Sequence, residues 1–119
     1  MSEMIRYGVI GTGMMGFEHI RNIALLDDAC VSAIADPNGP SRDFGRKTVG
    51  HEVRVFDDYR DLIRCDEVDA VIVSTPNFTH ARILDDLFET SANDGQRHRI
   101  DHRARRPFGR ITSIYLLPM

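Results

Sequence analysis

Short apolar runs alternate with stretches of three- and four-residue apolar spacing through the first ninety residues of the chain. Met4 to Ile10 is largely apolar, and Tyr7, Val9 and Ile10 favour extended backbone, which predicts a buried parallel strand. Met14 to Leu26 sets Gly16, Ile20, Ile23 and Ala24 on one face and predicts a helix, with Asp27 and Asp28 opening a loop. Cys30 to Ala35 predicts a second strand, and Asp36-Pro37-Asn38-Gly39-Pro40 is a loop by composition. Ser41 is placed to cap a short helix reaching Val49, with Gly45 weakening it. Val53 to Phe56 predicts a third strand, and Asp57 or Asp58 then caps a helix through Ile63 to Cys65. Val68 to Ser74 is almost continuously apolar, as a strand covered on both faces must be. Thr75-Pro76-Asn77 breaks it, and Phe78 to Thr90 is an amphipathic helix with Ala81, Leu84, Leu87 and Phe88 on one face.

The order βαβαβαβα, with right-handed crossovers, predicts an α/β domain built on a doubly wound parallel sheet over residues 1–90. Beyond Ser91 the periodicity dissolves. Ser91-Ala92-Asn93-Asp94-Gly95 is loop-like, Arg97 to Arg110 holds six arginines, and Ile111 to Leu117 can form a further strand. Charge changes sign at the same point. Residues 1–90 carry 9 basic and 16 acidic side chains, whereas residues 91–119 carry 6 basic and 2 acidic ones. Such a shift in a small chain marks a boundary, and 91–119 is read as an atypical, Arg-rich tail.

Composition narrows the class. The chain is 42% hydrophobic and 28% charged, values of a soluble globular domain. It has no eighteen-residue apolar run and no basic, apolar leader, so a cytoplasmic protein without a membrane partner is expected. Cys30 and Cys65 form no disulfide framework or metal motif, and Cys30 is expected to be a buried free thiol. His98 and His102 flank Asp101 at helical spacing, but no third ligand accompanies them, and no metal is expected. The arginine run lacks interleaved aromatics, and nucleic acid is not an expected partner.

The chemistry gathers at the first turn, Gly11-Thr12-Gly13-Met14-Met15-Gly16, which joins a strand to a helix. Gly11 permits the bend, Gly13 lets a pyrophosphate approach the backbone, and Gly16 lets helix and strand pack closely. The helix start at Met14 and Met15 offers unpaired N–H groups and a positive dipole end to phosphate. Asp36, twenty residues past Gly16, ends the second strand, where an acid accepts hydrogen bonds from the adenosine ribose. Its charge repels a 2′-phosphate, so NAD is the expected cofactor and NADP the second candidate. Arg42 is the counter-argument; an exposed helix face is its preferred reading. Ser74, Thr75 and Asn77 lie at the carboxyl end of the fourth strand, in the crevice where such sheets bind ligands. With His80 they are candidates for the nicotinamide ribose.

Gly-Thr-Gly-Met-Met-Gly, Ala35-Asp36-Pro37, Asp57-Asp58-Tyr59, Val68-Asp69-Ala70-Val71 and Ser74-Thr75-Pro76-Asn77-Phe78-Thr79-His80 occur in order at family-like spacing. Together they resemble the N-terminal NAD(P)-binding Rossmann domain of the glucose–fructose oxidoreductase / inositol dehydrogenase / MocA family, over roughly residues 4 to 90. The resemblance implies hydride transfer between nicotinamide and a sugar, cyclitol or polyol hydroxyl, a second α/β domain for substrate, and an oligomer in full-length members. The family's Glu-Lys-Pro, whose lysine sits at the reaction site, has Arg105-Arg106-Pro107 in its place, and Lys47 is the only lysine. No catalytic residue is therefore carried over. The Rossmann sheet is expected to be incomplete, without the C-terminal substrate domain, and the isolated chain to bind cofactor without turnover. A frameshift near Ser91 is the expected origin of the tail, with a shortened paralogue as the alternative. An uncovered fourth strand would then promote aggregation unless Ile111–Leu117 pairs with it. Two other functions compete: a non-catalytic nucleotide-binding module or subunit, and a methyltransferase domain binding S-adenosylmethionine. Gly16 and the Thr-Pro-Asn turn argue against the latter.

Overall fold

A computed structural model describes residues 4–76, 79–91 and 113–116. The strands are β1 (Ile5–Ile10), β2 (Ala29–Ala35), β3 (Arg54–Phe56), β4 (Ala70–Val73) and β5 (Ser113–Leu116). The helices are α1 (Met14–Ala24), α2 (Gly39–Val49), α3 (Tyr59–Ile63) and α4 (His80–Ser91). All strand pairs are parallel, in the order β3-β2-β1-β4-β5. The chain runs outward from β1 through β2 to β3, then crosses back to place β4 on the other side of β1. That reversal opens a crevice between the carboxyl ends of β1 and β4.

Each face of the sheet carries its own core. Val9, Val31, Ile34 and Ile72 pack with Ile20 and Ile23 of α1 on one side. Ile10, Ala33, Ala35, Val71 and Val73 pack with Leu62 and Ile63 of α3 and Ile83 and Leu87 of α4 on the other. A register shift between Tyr7 and Gly8 leaves Ser32 of β2 out of step. The shift resets the alternation, so Val31 and Ile34 share a face although they stand three positions apart. Ser32 uses its hydroxyl to donate to the carbonyl oxygen of Glu67 at 2.6 Å. Each fully buried Ile, Leu or Val contributes about 1.5–3 kcal/mol, and the two layers together hold the strand ends in line.

Several local expectations change. Ala24 ends α1 on the solvent side, and Ala81 is exposed on α4 while Ile83 takes the buried position. Alanine adds little burial energy, so the larger branched side chains decide each helix rotation. Phe88 lies outside the described side chains. The cap of α2 is Asn38, whose side-chain oxygen accepts the Ser41 N–H at 2.9 Å; Ser41 lies inside the first turn. Asp58, not Asp57, caps α3. Cys30 is only half-buried, and the thiol in the core belongs to Cys65. β5 pairs with β4 from Ala70↔Ser113 to Val73↔Leu116, so the condition under which that edge would not be left open is met. The stretches holding His98, Asp101, His102 and Arg105-Arg106-Pro107 lie outside the described residues.

Candidate functional site

Backbone hydrogen bonds align the strand ends. Gly11 donates to Ala35, Asp36 to Phe56, and Ser74 to Ile10, at 2.8, 3.1 and 2.8 Å. The residues just beyond β1, β2, β3 and β4 therefore share one rim, and they line a cleft of about 630 Å³.

The glycine turn sits at its centre. Gly11 has φ +95°, a left-handed conformation that a side chain resists, and a Cβ there would press on the Ser74 carbonyl. A Cβ at Gly16 would fall well inside the Gly11 carbonyl oxygen. Gly13 is different, since a Cβ there would meet no protein atom within 4 Å. Its bare backbone faces the cleft. Gly13 also caps α1 without a side-chain hydrogen bond, and no acidic residue stands in the first turn. The first N–H groups of α1, at Met14 and Met15, thus keep the unneutralised positive end of the helix.

Asp36 lies at the end of β2 on the same rim. Its Oδ2 accepts the Thr12 N–H at 2.9 Å and its Oδ1 accepts the Asn38 N–H at 2.8 Å. The carboxylate is held in a fixed direction with lone pairs left for a ligand hydroxyl. Arg42 is half-buried, not on an open helix face, and its Nη1 donates to the Asp36 backbone carbonyl at 2.9 Å. Thr12, expected beside the cofactor, is fully buried and does not line the cleft; it acts there through Asp36, which its N–H holds.

Across the cleft, the loop after β4 is bonded within itself. Thr79 donates its hydroxyl to the Pro76 carbonyl at 2.7 Å and takes a 2.5 Å hydrogen bond from Thr75 Oγ1. His80 Nε2–H donates to the Thr75 carbonyl at 3.1 Å. Ser74 lines the cleft, and its buried Oγ has no hydrogen-bond partner among the described residues. Asn77 lies outside the described residues.

A group at the β3 end was missed from sequence. Tyr59 and Arg60 line the cleft with Asp57 and Asp58. Burial first, then the hydrogen bond its hydroxyl donates to Asp86 of α4, pushes the Tyr59 phenol up to about 12. The Arg60 guanidinium, at 2.8–3.2 Å, holds the Asp58 carboxyl below its ordinary value. Asp57 and Asp58 read only as cap candidates, and Tyr59 and Arg60 as helix residues, because the pairing of β3 with β2, which brings them to the rim, is not local. The available signal was their position at the carboxyl end of a predicted strand.

The residues fit a dinucleotide on three observations: the open space at Gly13, the oriented acid at Asp36 and the orphaned Ser74 hydroxyl. Among the described residues no cluster of three or more His, Cys, Asp or Glu side chains is arranged to hold a metal. None of the described helices is long and apolar enough to cross a membrane.

Comparison with known proteins agrees with this geometry. The rhizopine catabolism protein MocA of Rhizobium meliloti is 33% identical over 82 residues, spanning 69% of this chain and 25% of that protein. Inositol 2-dehydrogenase 2 of Paenarthrobacter aurescens is 39% identical over 88 residues, with 71% and 25% covered. The structure of myo-inositol dehydrogenase from Lactobacillus casei, in complex with NAD(H) and myo-inositol, superposes with a TM-score of 0.69 at 27% identity. It covers 73% of this chain and 26% of that one. The chain thus spans about a quarter of the length of the relatives it matches. The family described as "Oxidoreductase family, NAD-binding Rossmann fold" matches residues 5–93, and the chain belongs to that family, GFO/IDH/MocA.

Proposed function

We propose that this chain grips NAD in the cleft at the carboxyl ends of its strands and is the cofactor-binding part of an oxidoreductase acting on a cyclitol, sugar or polyol hydroxyl. The observation that carries the reading is the Asp36 carboxylate, held by the Thr12 and Asn38 N–H groups beside the open backbone of Gly13. When bound, NAD supplies a two-electron carrier. Gly13 and the N–H groups at Met14 and Met15 take the pyrophosphate, Asp36 takes the adenosine ribose, and Ser74, Thr75, Asn77 and His80 border the nicotinamide ribose. His80 orients the loop through the Thr75 carbonyl. The inositol dehydrogenases among the relatives support the substrate class.

We assign no catalytic group within the chain, and reaction requires further residues that hold the substrate carbon against the nicotinamide. Residues 1–90 form the cofactor unit in this reading, and 91–119 are an atypical continuation; the sign change in charge and the family match ending at residue 93 support that division. Two unpaired cysteines suit a reducing, cytoplasmic setting. Titration followed by NADH fluorescence, with NADPH and S-adenosylmethionine as competitors, tests the reading. NADH should bind and Asp36→Ala should weaken it by about tenfold or more, the worth of a charge-assisted hydrogen bond. Preference for S-adenosylmethionine, or indifference to the substitution, would refute it.

A further inference from the structure

Thr12 combines a fully buried hydroxyl with a place inside the glycine turn. Its Oγ1 lies 2.8 Å from the Ser41 carbonyl oxygen and 3.3 Å from Asp36 Oδ2. A hydroxyl has one hydrogen, and the shorter contact assigns it to Ser41. The hydroxyl therefore ties the first turn of α2 to the turn that follows β1, while the backbone N–H of the same residue holds Asp36. Gly45, one helical turn further along α2, makes this approach possible. A Cβ at Gly45 would stand 2.9 Å from both Thr12 Cβ and Cγ2. The first turn of α2 also carries Arg42, whose guanidinium is folded back onto the Asp36 carbonyl.

The acid and the helix that follows it thus meet at the Thr12 side chain, and the cation on that helix bonds to the acid's own carbonyl. We propose that Thr12 is a specificity-determining positioning residue, whose buried hydroxyl pins α2 so that Asp36 faces the ribose hydroxyls and Arg42 is withheld from a 2′-phosphate. This rests on the dinucleotide reading above. Valine in place of Thr12 keeps the shape but cannot donate to Ser41. The first turn of α2 then loosens, Asp36 loses its fixed direction and Arg42 gains freedom to meet a phosphate. Serine keeps the donor and loses only the methyl group against Gly45.

The test is fluorescence titration of wild type, Thr12→Val and Thr12→Ser with NADH and NADPH, alongside urea unfolding of each. Thr12→Val should weaken NADH about tenfold and shift the NADPH-to-NADH affinity ratio about fivefold toward NADPH. Thr12→Ser should restore both values to within about twofold of wild type. In an Arg42→Ala background the valine substitution should no longer move the ratio. Equal weakening of both cofactors by Thr12→Val, an unchanged ratio, or serine behaving like valine would overturn the proposal. If Thr12→Val does not fold, Thr12→Ala carries the same expectation; failure of both while serine folds would make the hydroxyl a folding group and also overturn it. A wild-type chain that binds neither cofactor would instead sink the underlying reading.

Discussion

Gly16 stands directly against the carbonyl oxygen of Gly11, with no room for a Cβ between them, whereas Gly13, midway between the two, faces empty space. The two glycines answer different needs. Gly16 serves the protein's own packing, and in the proposed reading the open space at Gly13 serves a ligand. Gly16→Ala should force the turn apart and cost about 1–3 kcal/mol, the range for overpacking a tight site. In a domain of this size each kcal/mol lowers Tm by about 4–8 °C. Gly13→Ala should leave Tm within about 2 °C of wild type but weaken NADH about tenfold or more, because the new methyl group occupies the phosphate approach. Calorimetry paired with NADH titration separates the two. A stability loss at Gly13 equal to that at Gly16 would show that the open space is not a ligand seat.

Tyr59 and Asp86 join the start of α3 to α4, and their bond sets a pH dependence. A phenol ionises near pH 10 in an unfolded chain, and in the fold Tyr59 is raised to about 12. A raised value means that the stabilisation is complete below pH about 10 and is lost as pH climbs toward 12. Tyr59→Phe should be less stable at pH 7 by about 1 kcal/mol for the lost hydrogen bond. Its urea midpoint should then fall less steeply than that of wild type above pH 10. The differential is about 1–2 kcal/mol once solvent screening of a partly exposed group is allowed for. Parallel curves for the two proteins would mean that the phenol is not held up by its surroundings.

Much of this fold was legible because β2 and β4 are covered on both faces. Val68 to Ser74 and Cys30 to Ala35 announce themselves as apolar runs, and the glycines and Asp36 follow them at fixed offsets. Helix rotation was less legible. Ala24 and Ala81 fit an apolar stripe, but alanine buries too little surface to set the angle against Ile20, Ile23, Ile83 and Leu87. Asn38 and Ser41 are both good caps, and the choice falls on Asn38, which places Pro40 inside the first turn where its missing N–H costs nothing. Arg42 looked like a surface residue because its acceptor is a backbone carbonyl six residues earlier, which no side-chain pattern reveals. Thr12 and Gly45 are 33 residues apart, and their contact exists only after α1 and α2 dock on one face of the sheet.

Arg6 and Asp69 fasten the entry to β1 against the entry to β4. The guanidinium donates twice to the carboxylate, at 3.0 and 2.9 Å; the Arg6 N–H also donates to Asp69 Oδ2 at 3.0 Å, and the Asp69 N–H donates to the Arg6 carbonyl at 2.7 Å. The hydrogen bond to Asp69 raises the Arg6 guanidinium above its ordinary value. The Arg6 side chain is 40% exposed and that of Asp69 19%, so solvent discounts the charge attraction. Asp69→Asn should cost about 1 kcal/mol, keeping the shape and losing the charge. Asp69→Ala should cost about 2 kcal/mol because the Arg6 N–H also loses its side-chain acceptor. Urea unfolding gives both values. Cofactor affinity should stay unchanged, since the pair lies at the opposite end of β1 from Gly11.

The pairing of β5 with β4 makes the last prediction. β4 is buried at every position, so its free edge would present a row of unpaired N–H and carbonyl groups beside an apolar surface. β5 covers that edge in parallel register across Val71↔Ile114 and Ile72↔Tyr115. Alternate N–H groups of a strand point to opposite sides, so one of two adjacent residues in β5 donates toward β4. Ile114→Pro and Tyr115→Pro together test both positions, since proline removes the donor and locks φ. One of the two should loosen β5, expose β4 and drive self-association, seen as a shift to earlier elution and increased light scattering relative to wild type at the same concentration. The other should behave nearly as wild type. If neither proline alters the elution profile, β5 is not what keeps the β4 edge from pairing with a second chain.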